Sequence, residues 1–240
     1  MSAKKSSLVL VSILAGLAFA AQAAAQPVKV VTFPIPLMVE SADKGVFIEL
    51  VKLLGARAGK QLDIQVLPTK RAVETFLSGQ ADCFLPALDV MFPSPVEASS
   101  EMYSKIDFAF VRKGDKVPKT IAELEGKTVG ITLGYPYVKE LTDNPKIKIE
   151  VSESDVVNMK KLASGRIDLF VVEEQSGKTA MTESGVEGIV YDPASPLSSQ
   201  KVYLAFQKNA AGKLLAGQFS AALAAIMKDG NFAAIMSKAK

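Results

Sequence analysis

From residue 28 onward the chain switches between short apolar runs and longer stretches whose apolar residues recur three or four apart, so strands are predicted to alternate with helices. Residues 28–33 read as a first strand, and Pro34 and Pro36 stop it because proline brings no N–H to a central ladder. Residues 43–59 put Val46, Phe47, Leu50, Val51, Leu54 and Ala58 on one helix face. Residues 62–67 alternate as a second strand, ended by Pro68. Thr69 is expected to cap a helix whose buried side is Ala72, Val73, Phe76 and Leu77. Residues 86–104, with three prolines, form the least regular segment, and strand character returns at 106–111. Thr120 to Glu123 has capping-box spacing, Thr128–Thr132 reads as a strand, and Pro136 suits the first position of a helix through Leu141. Further strands are expected at 147–151, 188–191 and 202–206. Helices are expected at Asp155–Ala163, 175–184 and 211–228, with a short one closing the chain.

One phrase occurs twice. Ser164-Gly165-Arg166-Ile167-Asp168 leads into an apolar run that ends on Glu173 and Glu174, and Ser78-Gly79-Gln80-Ala81-Asp82 leads into Cys83-Phe84-Leu85, 86 positions earlier. Glycine just past a helix end accepts the left-handed backbone that closes it, and an unbroken apolar run suits a strand covered on both faces. Two similar α/β units are the expected architecture, since 86 residues is too long for a solenoid period.

Composition narrows the function. Lys4 and Lys5, an apolar run from residue 8 to 21 and the small residues at 21–25 read as an export signal cleaved near Ala25, too short for a membrane span. Without residues 1–25 the chain keeps 26 basic and 25 acidic residues, a net charge of +1, with no basic cluster that would suit nucleic acid. Cys83 is the only cysteine, so no disulfide forms within the chain, and no cysteine near the cleavage site would carry a lipid anchor. Export to the periplasm as a free protein is expected. Histidine is absent, which removes Ser-His and Cys-His nucleophiles and most zinc sites. No metal or cofactor is expected.

Three places carry candidate chemistry. Lys70 and Arg71 sit in a helix's first turn, where the dipole disfavours cations, and one of them could reach over the strand ends toward an anion. Gly134-Tyr135-Pro136-Tyr137 follows a strand and opens a helix, whose free amides could meet an anion. Glu173 ends an apolar strand.

The order of elements resembles the periplasmic solute-binding proteins of the polar amino-acid uptake family, extracellular solute-binding protein family 3. The likeness rests on residues 124–131 (Leu-Glu-Gly-Lys-Thr-Val-Gly-Ile), on Ser164 to Asp168 with the strand to Glu173, and on residues 202–206 followed by Lys208-Asn209 and Lys228 to Phe232. It implies a type II periplasmic binding protein fold, α/β, with two lobes, two hinge crossings near 108–112 and 202–206, and a ligand cleft between the lobes. The implied division is a signal peptide at 1–25, lobe 1 at 26–111 and 202–240, and lobe 2 at 112–201. The resemblance puts Glu173 where an acid meets a ligand ammonium, Phe33 in the first cleft loop, and Gly134, Tyr135 and Tyr137 in the second-lobe turn; Asp89 is a further cleft acid. Where the family has an arginine fork for the α-carboxylate, residues 93–99 contain no arginine. Either Lys70 or Arg71 supplies the missing cation, or the acids Asp89, Glu97 and Glu173 select an amine or another cation. The implied function is the substrate-binding component of an ABC-type importer: a monomer that closes on a small polar solute, amino-acid-like or an amine, and meets a membrane permease. The alternative is an accessory or sensory protein of the same fold that binds a protein partner. Catalysis is not expected, since no second convergent catalytic group accompanies Glu173.

Overall fold

The structure is a computed structural model that describes residues 26–239; the expected export segment at 1–25 lies outside the described residues. In chain order the elements are β1 (Val28–Thr32), α1 (Val46–Arg57), β2 (Leu62–Val66), α2 (Thr69–Leu77), β3 (Cys83–Ala87), β4 (Glu97–Ala98) and β5 (Tyr103–Arg112). There follow β6 (Thr128–Thr132), α3 (Lys139–Thr142), β7 (Lys148–Ser152), α4 (Asp155–Ala163), β8 (Leu169–Glu173), α5 (Glu174–Ser184), β9 (Ile189–Val190), β10 (Ser198–Phe206), α6 (Ala210–Lys228) and α7 (Asn231–Met236).

The strands run in the order β2-β1-β3-β10-β5-β8-β6-β7. β1 lies parallel between β2 and β3, and β6 lies parallel between β7 and β8. Each triplet is then met by an antiparallel strand: β10 on β3 and β5 on β8. These two long strands pair with each other from Ser198 opposite Asp107 to Val202 opposite Tyr103. The crossings therefore lie at 103–107 and 198–202, a few residues before the expected 108–112 and 202–206. Phe108 to Arg112 already pairs with β8 and β9 in the second lobe, and Ala205 and Phe206 with β3 and β4 in the first.

The repeated phrase does the same work in both lobes. Gly79 (φ 75°) and Gly165 (φ 72°) take the left-handed turn after α2 and α4. Asp82 accepts the Lys29 N–H at 2.9 Å and Asp168 the Thr128 N–H at 2.7 Å, so each aspartate ties the new strand to the central strand of its triplet. The turn carbonyls are also matched. Gln207 Nε2 donates to the Phe76 and Ala81 carbonyls, both at 2.7 Å, and Arg112 donates to their counterparts on Leu162 and Ile167, at 3.0 and 2.9 Å. Phe76 and Leu162 also accept the Gly79 and Gly165 N–H groups, so the side chains at the far ends of β10 and β5 add a second bond to each helix-end carbonyl.

Apolar layers cover both faces of each lobe. In the first, α1 and α6 bury Leu50, Leu54, Phe219, Leu223 and Ile226 against Leu85, Leu204 and Phe206, while Phe76, Phe84 and Phe92 fill the α2 side. α6 is long and apolar enough to cross a membrane by composition alone, but this buried face makes it a core helix of the lobe. In the second, Leu124, Val129 and Val171 lie on one face and Phe110, Leu162 and Phe170 on the other.

Three local expectations change. Thr69 is the first residue of α2 and makes no side-chain cap; Pro68 occupies the cap position. Pro136 does not open a helix, because the chain stays irregular until Lys139 and α3 is a single turn. The irregular segment starts later than residue 86. Pro86 lies inside β3, where the register against β10 shifts between Tyr203 and Ala205, so its missing N–H falls at an irregularity in the ladder.

Candidate ligand cleft

The polar groups of the second lobe gather where β6 and β8 end and α4 and α5 begin. Thr132, last of β6, is buried, and its N–H donates to the Tyr137 hydroxyl oxygen at 3.0 Å. Asn158 of α4, fully buried, donates to the Ile131 carbonyl at 3.0 Å and to Thr132 Oγ1 at 3.1 Å. With its lone pair engaged by Asn158, the Thr132 hydroxyl donates to Asp155 Oδ1, and the Tyr135 hydroxyl donates to Asp155 Oδ2 at 3.1 Å. Asp155 opens α4 and Glu173 is the N-cap of α5, so both carboxylates sit where helix dipoles favour negative charge. One oxygen of Glu173 accepts the Ser176 N–H at 3.0 Å. Burial raises the Asp155 carboxyl above its ordinary value; the two hydroxyl donors oppose the rise and the nearby Glu173 charge adds to it.

The crossing strands complete this face. Directly opposed residues and those two apart along a strand share a side, so Lys105, Asp107, Ser198, Gln200 and Glu173 project together. Lys105, whose side chain is 11% exposed, pairs with Asp107, 1% exposed, and its ammonium stands 5.1 Å from the centre of the Tyr137 ring. Ser198 donates to the other Asp107 oxygen at 3.0 Å. Gln200 Nε2 donates to the Pro136 carbonyl at 3.2 Å, tying the crossing strand to the loop after β6, while Gln200 Oε1 has no partner. Across the cleft, a Cβ placed on Gly134 would lie 3.6 Å from Thr69 Oγ1, so the lobes approach one another at this turn.

Of the residues expected from sequence, Tyr135, Tyr137 and Glu173 come together with Asp155, and Gly134 supplies the exposed turn (φ 80°) beside them. Tyr137 is buried, its hydroxyl oxygen accepts the Thr132 N–H, and its ring serves as the floor under Lys105. The first-lobe candidates are placed differently. Phe33 is 4% exposed and packs on Phe84 at a ring distance of 5.8 Å, as part of the core. Lys70 and Arg71 are exposed on α2, with the Lys70 side chain 92% exposed and 4.0 Å from Glu74. Asp89 accepts the Tyr203 hydroxyl at 2.6 Å and lines a pocket of about 370 Å³ with Phe92, Pro93, Pro95 and Val96. Sequence reading missed Lys105, Asp107, Asp155 and Gln200. For Lys105 and Asp107 the signal was the alternation Tyr103, Lys105, Asp107, which continues the strand three residues before residue 106; Asp155 and Gln200 left none.

Two α/β lobes joined by a pair of antiparallel strands, with polar side chains at the strand ends between them, define a type II periplasmic binding protein fold. The ligand-binding core of GluR0 from Nostoc punctiforme, in complex with L-glutamate, shares it at a TM-score of 0.72 and 17% identity, over 88% of this chain and 98% of that one. A histidine kinase sensor domain with similarity to periplasmic binding proteins matches at 0.71 and 17% identity, over 89% and 95%. The arginine-binding extracellular protein ArtP of Bacillus subtilis (strain 168) is 29% identical over 139 residues, 54% of this chain and 52% of ArtP. The chain thus matches about half the length of that relative. No model of a known protein family matches the chain. The resemblance read from residues 124–131, 164–173 and 202–232 thus agrees in kind with the comparisons, which find an arginine-binding extracellular protein and ligand-binding domains of this fold.

Proposed function

We propose that the protein is the solute receptor of an ABC-type importer: exported to the periplasm as a monomer, closing its two lobes on a small polar solute, and delivering it to a membrane permease. One observation carries this reading. Glu173, with one carboxylate oxygen left free, and Gln200, whose Oε1 has no partner, lie at the strand ends between two lobes joined through β5 and β10. Rotation about those strands opens and closes the site, the expected motion for this architecture. The kinship with ArtP supports a solute of amino-acid size, and the likeness to a sensor domain supports the rival reading, an accessory or sensory protein that binds a protein partner.

Thermal unfolding against amino acids, amines and small carboxylates tests the proposal. A solute at a hundredfold its Kd adds about 2.7 kcal/mol, a rise in Tm of roughly 5–10 °C for a chain of this size. Such a rise with one chemical class, accompanied by a more compact scattering profile, supports a receptor. A panel with no rise, together with retention of a partner protein, supports the rival.

A further inference from the structure

Charge on the cleft face is unbalanced. Lys105 is the one cation there, held by Asp107, while Asp155 and Glu173 have no Lys or Arg within ion-pair distance among the described residues. One positive group thus stands against three negative ones. The cations considered for a ligand carboxylate, Lys70 and Arg71, lie exposed on α2 and do not restore the balance.

Hydrogen-bond capacity is unbalanced in the same direction. Gln200 is 8% exposed, and its Oε1 accepts nothing. Its amide orientation follows from its neighbour, because turning it would set oxygen against the Pro136 carbonyl. A buried acceptor without a donor is unfavourable, and a ligand N–H would remove that penalty. Glu173 keeps its second oxygen free of the Ser176 bond. The Thr132 and Tyr135 hydroxyls already donate to Asp155, and the Tyr137 oxygen already accepts the Thr132 N–H. Among its side chains the face has no uncommitted N–H donor and no unpaired positive charge.

Resting on the receptor reading above, we infer that the cleft selects a small organic cation rich in N–H donors and lacking a carboxylate, a diamine or guanidino-amine. Its charge lies against Glu173 and Asp155, and one of its N–H groups reaches Gln200 Oε1. A zwitterion would bring a carboxylate into a field already negative, with its only nearby cation engaged by Asp107. A metal ion fits less well: among the described residues no three His, Cys, Asp or Glu side chains form a group that could hold one.

Matched pairs isolate the carboxylate. Cadaverine against L-lysine, and agmatine against L-arginine, differ by that group alone, and titration calorimetry on the purified protein reads each Kd, with L-glutamate as an anionic control. The expected result is at least tenfold tighter binding of the decarboxylated member of one or both pairs. Glu173→Gln should weaken it tenfold or more, because glutamine can still accept the Ser176 N–H but carries no charge. Asp155→Asn is a second variant with the same expectation, and the melting temperature of each variant without ligand shows that it is folded. Equal or tighter binding of the amino acid overturns the inference and leaves the receptor reading intact, as does unchanged affinity in both folded variants. No binding by any of the five compounds overturns the inference, and if the broader solute panel is also flat the receptor reading falls with it.

Discussion

Replacing Lys105 with methionine tests the joint between the lobes. The substitution preserves the length of the stem and removes the ammonium, which leaves Asp107, 1% exposed, with Ser198 as its remaining side-chain donor. Removing one partner of a buried ion pair costs about 3–5 kcal/mol, mostly because the other charge stays buried and uncompensated. Lys105 also stands 5.1 Å from the Tyr137 ring centre, an attraction worth about 0.5–2 kcal/mol within that total. A second substitution separates these contributions. In Lys105→Met with Asp107→Asn, the uncompensated charge is gone and the asparagine oxygen still accepts from Ser198, so the double variant should recover all but about 0.5–2 kcal/mol, the part that belongs to the aromatic contact. Urea unfolding at pH 7 measures both; in a thermal scan the single variant should melt about 6–20 °C below the parent. The reasoning fails if the single variant lies within about 1 kcal/mol of the parent, or if the double variant is no more stable than the single one.

The glycines of α6 should respond in opposite directions. A Cβ on Gly212 would lie 1.9 Å from the Gln207 carbonyl oxygen, so Gly212→Ala should cost about 1–3 kcal/mol, whereas Gly217 faces open space and Gly217→Ala should gain about 0.5–1 kcal/mol in helix propensity; the urea midpoints of the two variants should fall on either side of the parent. Asp82→Ala and Asp168→Ala should cost similar amounts, about 1–2 kcal/mol each, and should speed hydrogen exchange at Lys29 and Thr128 respectively; a large difference between them would mean the two turns are not equivalent. Burial, moderated by the two hydroxyl donors and reinforced by Glu173, holds the Asp155 carboxyl above its ordinary 3.8 in the folded protein. The folded state therefore keeps this proton more tightly than the unfolded chain does, so the contribution to stability is present below 3.8 and lost as pH rises through the folded value. Asp155→Asn should gain on the parent across that window, and a variant that loses ground with rising pH refutes the assignment.

Elements that depend on neighbours in sequence were readable. The helix faces at 46–57 and 155–163, the strand at Thr128–Thr132, and the pair of Ser-Gly turns follow from local periodicity and from glycine's access to positive φ. The repeat also foretold two like units, because Asp82 and Asp168 make the same bond in each. The site was only half readable, and the reason is the distance over which it is assembled. Asp107 meets Ser198 across 91 positions and Gln200 meets Pro136 across 64, so neither partnership leaves a local pattern. Asp155 reads as an ordinary first-turn acid until Thr132 and Tyr135 are folded against it. Phe33 and Tyr137 show the converse: an aromatic beside a strand end suits core and ligand equally, and only the packing on Phe84 and the bond from Thr132 assign both rings to the scaffold. Lys70 and Arg71 stand at a strand end in sequence, which makes them the readable candidates for a cleft cation. The buried lysine lies instead on the crossing strand, already committed to Asp107. That commitment shifts the chemistry of the cleft: with its cation neutralised internally, the face between the lobes is left with carboxylates and an unmatched amide oxygen, groups that attract N–H donors and repel a carboxylate.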